Sequence, residues 1–291
     1  MNPLGIHALV WAGDLTPESA RKVISQSKAA GFDLVELSLH APKVMDLGMT
    51  RECLREYQLG VACSRGLSST ADVSSEDPEC VARGMALLEE AVTITAALGG
   101  HYFGGVPYSA LGKYNHPLTA LARKNVIHSL KRLSDFAANK GVTVGIEIVN
   151  RYETNVINTA NQALALLGDV GDPKNMVIHL DTYHMNIEEV DFVQPVLACR
   201  DRLGYVHIGE SNRGYLESGT VDFTAFFNAL AMIDYQGTIT FESFSSAVVS
   251  EELSNTLAIW RNLWDDGMDL AKHAHAFITN KIRAAEMGKN R

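Results

Sequence analysis

From end to end the chain alternates short apolar runs of strand length with longer amphipathic stretches of helix length. The strand-like runs cover residues 5–12, 33–39, 60–66, 101–106, 142–149, 176–181, 204–209 and 237–244. The helical stretches fill the gaps, at about 17–30, 43–57, 78–98, 117–140, 159–170, 187–202, 222–233 and 251–264. Several runs, such as VGIEIV, are continuously apolar, as strands covered by helices are. Thr16-Pro17-Glu18 combines an N-cap residue, a first-turn proline and an early acid. Gly31 and Gly141 follow the first and fourth helices, where left-handed stop residues belong. Eight such units in 291 residues predict an α/β fold, one (β/α)8 barrel. An open doubly wound sheet fits the same alternation, but no GxGxxG follows the first strand.

No Pro/Gly/Ser linker divides the chain, so residues 1–291 are expected to form a single barrel domain with a helical extension from about 265. In that extension Met268, Ala271, His275, Ile278 and Ile282 recur at helical spacing. The stripe suits a helix packed on the barrel's outside, or a contact with a second copy.

Composition narrows the function classes. There are 25 Lys and Arg against 34 Asp and Glu, a formal net charge of -9, and no long basic run, so no nucleic-acid partner is expected. Cys53, Cys63, Cys80 and Cys199 form no CxxC pair, and reduced thiols in a cytoplasmic protein are the simplest expectation. The start, MNPLGIHALVWAGDL, has no signal-peptide pattern. No apolar run is long enough to span a bilayer, so no membrane partner is expected.

Four of the runs end in residues that can bind a metal: Glu147, Asp181, His207 and Glu242, on the fifth to eighth strands. In a barrel, residues at the carboxyl ends of strands converge over the central opening. Singly, an acid there is often a helix cap or ion-pair partner, and a strand histidine is often core. Together, three carboxylates and an imidazole suit one divalent cation, Mn2+ or Mg2+, with Co2+ an option. Glu147 and Glu242 could also move protons. Such a pair is useful where a C–H beside a carbonyl must break. The cation stabilises the enediolate, one glutamate takes the proton, and the other returns one to the opposite face.

Past the strand ends, Glu153, His184 and Arg213 could hydrogen-bond the hydroxyls and anionic oxygen of a sugar. Other polar candidates have simpler uses. Glu36, at the end of the second run, suits a structural hydrogen bond. His179 suits a buried, hydrogen-bonded core histidine one layer below Asp181, and Glu210 suits a loop brace. His7, Trp11 and residues 103–108 suit core packing or a pocket wall. His101, His116, His273 and His275 have no spacing that recruits them.

The local motifs are Glu147-Ile-Val-Asn150-Arg151-Tyr-Glu153 followed by Asn158-Thr159, then Asp181-Thr-Tyr-His184-Met-Asn186-Ile-Glu188-Glu189, His207-Ile-Gly209-Glu210-Ser-Asn212-Arg213, and Phe241-Glu242-Ser-Phe244. In these the chain resembles the ketose 3-epimerases, the D-tagatose, D-psicose (allulose) and L-ribulose 3-epimerase group of the xylose-isomerase-like TIM barrel superfamily. The resemblance implies epimerisation of free keto-sugars at C3. It implies one cation per subunit on Glu147, Asp181, His207 and Glu242, Mn2+ first, with Co2+ or Mg2+ as alternatives. It makes Glu147 and Glu242 the acid/base pair and gives substrate oxygens to Glu153, His184 and Arg213. A homodimer or homotetramer is the quaternary structure it implies. The chain departs from the family pattern at 210–223, where a proline-bearing motif is absent, at Ser243 in place of proline, and in IHALVW and FGGVPYSALGKY. Other superfamily enzymes share such a site, among them hydroxypyruvate-type isomerases and inosose dehydratases. A non-catalytic sugar-binding barrel would not need two proton-transfer groups.

Overall fold

The computed structural model describes residues 2–249 and 251–289; Met1, Ser250, Asn290 and Arg291 of the expected 1–291 span lie outside the described residues. Eight strands, β1 (Leu4–His7), β2 (Leu34–Ser38), β3 (Gly60–Leu67), β4 (Tyr102–Ala110), β5 (Thr143–Glu147), β6 (Met176–Asp181), β7 (Leu203–Ile208) and β8 (Thr238–Phe241), close in chain order into a parallel barrel. The helices are α1 (Pro17–Ala29), α2 (Leu47–Glu56), α3 (Pro78–Ala97), α4 (Ala120–Ala138), α5 (Ala160–Val170), α6 (Thr182–Glu188), α7 (Gln194–Cys199), α8 (Phe223–Met232), α9 (Glu251–Thr256) and α10 (Gly267–Lys289). The (β/α)8 barrel expected from the alternation is the fold observed.

Local chemistry sets the element boundaries. Thr16, Asp77, Thr119 and Asp222 cap α1, α3, α4 and α8 by accepting backbone N–H bonds, and Thr159 with Gln162 forms a capping box on α5. Gly31 and Gly141 take φ of +98° and +67°, the left-handed conformation expected of stop residues.

Three expected elements come out differently. The first run, expected over 5–12, stops at His7. There the imidazole Nδ1 accepts the Leu9 N–H and turns the chain into a short 3-10 helix. The single helix expected over 187–202 is two. Asp181 caps α6 through the Tyr183 N–H, so that helix starts at the strand end, and Asp191 accepts the Val193 and Gln194 N–H groups ahead of Pro195 to start α7. The helix expected over 251–264 ends at Thr256, just before Ala258 in a left-handed conformation.

Strand parity separates two environments. Val35, Leu37, Val144, Ile146, Ile178, Leu180, Val206 and Ile208 are fully buried in the hydrophobic core. Each such side chain stabilises the fold by about 1.5–3 kcal/mol. The alternate positions meet across the barrel's interior: Tyr102 stacks on Tyr205, His179 sits edge-on to both, and Thr240 donates to the Tyr205 hydroxyl. Register then sets the layers, with Glu147 level with His179 and Asp181 level with His207. At the far end of the chain, α10 buries Leu270, Ala271, Ala274, Ile278 and Ile282, and Phe277 lies against Phe223 of α8. The helical stripe therefore packs on the outside of the barrel.

Candidate active site

The structure brings Glu147, Asp181, His207 and Glu242 together at the mouth of the barrel, all buried, with one ligand atom of each within 4.8 Å of the others. His207 Nδ1 lies 3.3 Å from Glu147 Oε1, 3.5 Å from Glu242 Oε1 and 4.0 Å from Asp181 Oδ2. Asp181 divides its labour: Oδ1 caps α6, while Oδ2 faces the cluster. On the other side of the ring, His207 Nε2 donates to Glu36 Oε2 at 2.8 Å. Burial works against the Glu36 charge, but His207 outweighs it and holds the carboxyl at about 2. An ionised Glu36 holds the Nε2 proton, so Nδ1 faces the three carboxylates and is the nitrogen that a cation would take, displacing any proton there. No group among the described residues hydrogen-bonds Nδ1.

This donor set fits a divalent cation. An imidazole lone pair and three carboxylate oxygens converge on one point, and Glu36 adds a fourth negative charge behind them. Arg213 supplies one compensating positive charge. The field also acts on the imidazole: burial pushes its pKa down, but Glu36, Glu242 and Glu147 outweigh burial and hold it well above the ordinary value. A site that attracts a proton so strongly attracts a cation for the same reason. The two glutamates sit in different fields. Burial pushes the Glu147 carboxyl up, against the pull of His207. It opposes ionisation of Glu242 too, but there His207 and Arg213 prevail and hold the carboxyl well down.

The three outer residues join the same site. Arg213 Nη1 donates to Glu242 Oε2 at 2.7 Å and to Asp181 Oδ2 at 3.1 Å. Its guanidinium lies 3.8 Å from the Tyr183 ring centroid and 4.9 Å from that of Phe244. Gly209 leaves room for it, since a Cβ there would stand 2.8 Å from Nη1 and push the guanidinium aside. The Arg213 backbone has φ of +60°, a costly conformation for this residue type, and Ser243 Oγ donates to its carbonyl. Trp264 Nε1 donates in turn to Ser243 Oγ. Ser243 thus has a specific use: it fastens the loop that carries Arg213.

His184 Nδ1 accepts the backbone N–H of Asn150 at 3.1 Å, which leaves the proton on Nε2, 3.7 Å from Asp181 Oδ2. The Asn150 side-chain amide bonds both His184 Nδ1 and Glu153 Oε1, at 2.8 and 2.9 Å. One asparagine therefore sets two of the three outer residues. Glu188 and Glu189 complete the run that begins at Asp181, and both are structural: Glu188 grips Arg151, and Glu189 accepts the Ala160 N–H at the start of α5.

The remaining candidates divide clearly. Glu210 accepts the Ser211, Glu217 and Val221 N–H groups and so braces the loop, as expected. Trp11 is core, donating to Ser27 Oγ, and the Tyr108 hydroxyl donates to the Glu147 carbonyl. His7 lines the cleft with Ser64, and His116 lines it farther out. His101 is exposed, His273 contacts the Leu216 carbonyl, and His275 packs against Phe32. His179 is fully buried, but the expectation that it is hydrogen-bonded fails: neither ring nitrogen has a hydrogen-bond partner among the described residues. It sits 4.1 Å, centroid to centroid, from His207 and between two tyrosine rings that offer it faces and edges instead of acceptors. It also forms a second potential ligand group with Glu147 and His207.

Sequence reasoning missed the work of Asn150, Tyr183 and Phe244. Their signal was position alone, each lying within three residues of a candidate ligand or outer residue.

Comparisons with known proteins agree with this architecture. Residues 24–278 match the model of the xylose isomerase-like TIM barrel family. The chain is 52% identical to the L-ribulose 3-epimerase of Methylomonas sp. (strain DH-1), over 95% of this chain and 96% of that one. It is 50% identical to the ketose 3-epimerase of Arthrobacter globiformis, over 97% of each. The crystal structure of a D-allulose 3-epimerase from Methylomonas sp. in complex with D-allulose superposes with a TM-score of 0.94 at 51% identity, covering 96% of this chain and 97% of that one. This chain therefore belongs to the xylose isomerase-like TIM barrel family and, within it, to the ketose 3-epimerases, a group of isomerases.

Proposed function

We propose that the protein inverts free ketoses of the L-ribulose, D-tagatose and D-fructose/D-psicose type at C3, with Glu147 and Glu242 as its two proton-transfer groups. The observation that carries this reading is the placement of both glutamates, from β5 and β8, within 3.5 Å of one imidazole nitrogen, with Arg213 and His184 beside them. A divalent cation held by Glu147, Asp181, His207 and Glu242 would supply positive charge to the substrate's carbonyl and adjacent hydroxyl oxygens, lowering the pKa of the C3 proton. Mn2+ suits the oxygen-rich donor set best, with Co2+ or Mg2+ as alternatives.

One glutamate removes the C3 proton from its side of the sugar, and the other protonates the opposite side. In the reverse reaction they exchange roles. Arg213, the His184 Nε2–H and Glu153 hold the oxygens around C1 to C3, so the carbon stays between the two carboxyls while its proton changes face. The cleft lined by His7 and Ser64 receives the rest of the sugar. Kinship with named ketose 3-epimerases supports this assignment. A homodimer or homotetramer and a cytoplasmic location belong to the same proposal. The quaternary structure rests on the family resemblance, and the location on four free, buried cysteines. Among the described residues no helix is long and apolar enough to cross a membrane.

The test is product analysis with Mn2+-loaded protein on D-fructose, D-tagatose and L-ribulose. The expected products are the C3 epimers, and an aldose as main product would overturn the assignment.

A further inference from the structure

We infer that Glu36 is a positioning residue of the metal centre: its carboxylate fixes the orientation and tautomer of His207, and its charge strengthens cation binding through the imidazole. The inference rests on the metal reading above and adds to it a residue outside the four ligands, from the opposite side of the barrel.

Glu36 lies in β2 and reaches His207 of β7, 171 residues away in sequence. It is fully buried, as is the ring it holds. An ionised carboxylate in such a place is costly unless its charge is compensated. Among the described residues its ion-pair partners are His7 and His207, with no Lys or Arg. His7 cannot do much. Its Nδ1 accepts the Leu9 N–H, so its ring is oriented by the backbone, and its Nε2 stays 3.7 Å from Glu36 Oε1, beyond hydrogen-bond range. Oε1 has no hydrogen bond among the described residues. The hydrogen bond Glu36 makes, through Oε2, is therefore to the ring nitrogen that faces away from the cluster.

A purely structural carboxylate would be expected to satisfy both oxygens, as Glu210 does with three backbone N–H groups. Glu36 instead spends a fully buried charge on one imidazole. That ring has its other nitrogen aimed at Glu147, Glu242 and Asp181. A carboxylate in this position makes the imidazole a stronger donor and prevents the ring from presenting Nε2–H to the cation.

The test is Mn2+ titration of metal-free protein by calorimetry, comparing wild type with Glu36→Gln. Glutamine keeps the shape and an acceptor oxygen but removes the charge. The expected result is a folded variant by circular dichroism, a Mn2+ Kd raised about 10–100-fold, and recovery of kcat at saturating Mn2+. A Kd within about threefold of wild type overturns the inference, as does a kcat that stays low although Mn2+ affinity is unchanged; the threshold reflects ordinary variation among contact-neutral mutants. If Glu36→Gln does not fold, Glu36→Asp carries the test, since it keeps the charge but withdraws it from the ring. A wild-type affinity in that variant overturns the inference equally. Failure of the wild type itself to bind any divalent cation would overturn the metal reading, a distinct result.

Discussion

The two halves of the barrel mouth are built on different terms. Strands β5, β6 and β8 end in carboxylates that converge on one nitrogen of His207 from β7, and the segments after the strands add an arginine, a histidine and a glutamate. Strands β1 to β4 contribute a wall that is neutral where it faces the cluster, with His7 and Ser64 toward the cleft and Gly105 beside them; Arg65 of β3 lines the cleft too, but its guanidinium donates to the Leu39 carbonyl. Their one carboxylate, Glu36, stands behind the cluster and reaches it through His207. The difference is one of tolerance. In the charged half each group is held by at least one further contact: Asp181 by the start of α6, His184 by Asn150, Arg213 by Tyr183 and Ser243. In the neutral half the contact between the two side chains nearest the cluster is weak, a 3.5 Å separation between Ser64 Oγ and His7 Nε2.

That contrast can be broken by substitution. The largest effect is expected for Glu147→Gln and Glu242→Gln, each of which removes a proton-transfer group and should lower kcat by about 10²–10⁴-fold. Steady-state kinetics at saturating Mn2+ separates this loss from weakened metal binding. Chelation comes next. Metal-free protein should lose turnover and melt at lower temperature, and Mn2+ at 100 times its Kd should restore about 2.7 kcal/mol of stability. A thermal melt with and without EDTA checks both. The smallest effect belongs to the neutral wall: Ser64→Ala removes one hydrogen-bonding hydroxyl, a change of about 0.5–1.5 kcal/mol, or roughly two- to tenfold in kcat/KM. If that variant were as damaging as Glu147→Gln, the division between the halves would be wrong.

The halves also differ in how far sequence alone discloses them. Glu147, Asp181, His207 and Glu242 are legible because strand-end position and ligand chemistry coincide in each. The eight alternations likewise expose the barrel, since a strand covered by helices is apolar throughout. What escapes is whatever depends on closure or on a second use of one residue. Glu36, expected at a strand end, sits in the middle of β2 and looks like an ordinary structural acid until the barrel brings β2 across to β7. The sixth helical stretch divides because Asp181 caps a helix as well as facing the cluster, and no periodicity signals that double duty. Asn150 is invisible for a similar reason: its amide acts on His184, which a separate strand and its helix, β6 and α6, deliver. The outer helical stripe permitted two uses, and packing of α10 on α8 decides where its apolar face goes.

The central claim is two-sided proton transfer at one carbon, and isotope incorporation tests it most directly. The ketose is converted in deuterated buffer, and product and residual substrate are analysed by NMR early in the reaction. With separate glutamates on opposite faces, the proton removed by one is not the proton delivered by the other. The account predicts that each product molecule carries deuterium at C3 from the first turnovers, ahead of any exchange into the remaining substrate. An epimer formed without deuterium at C3 would contradict it.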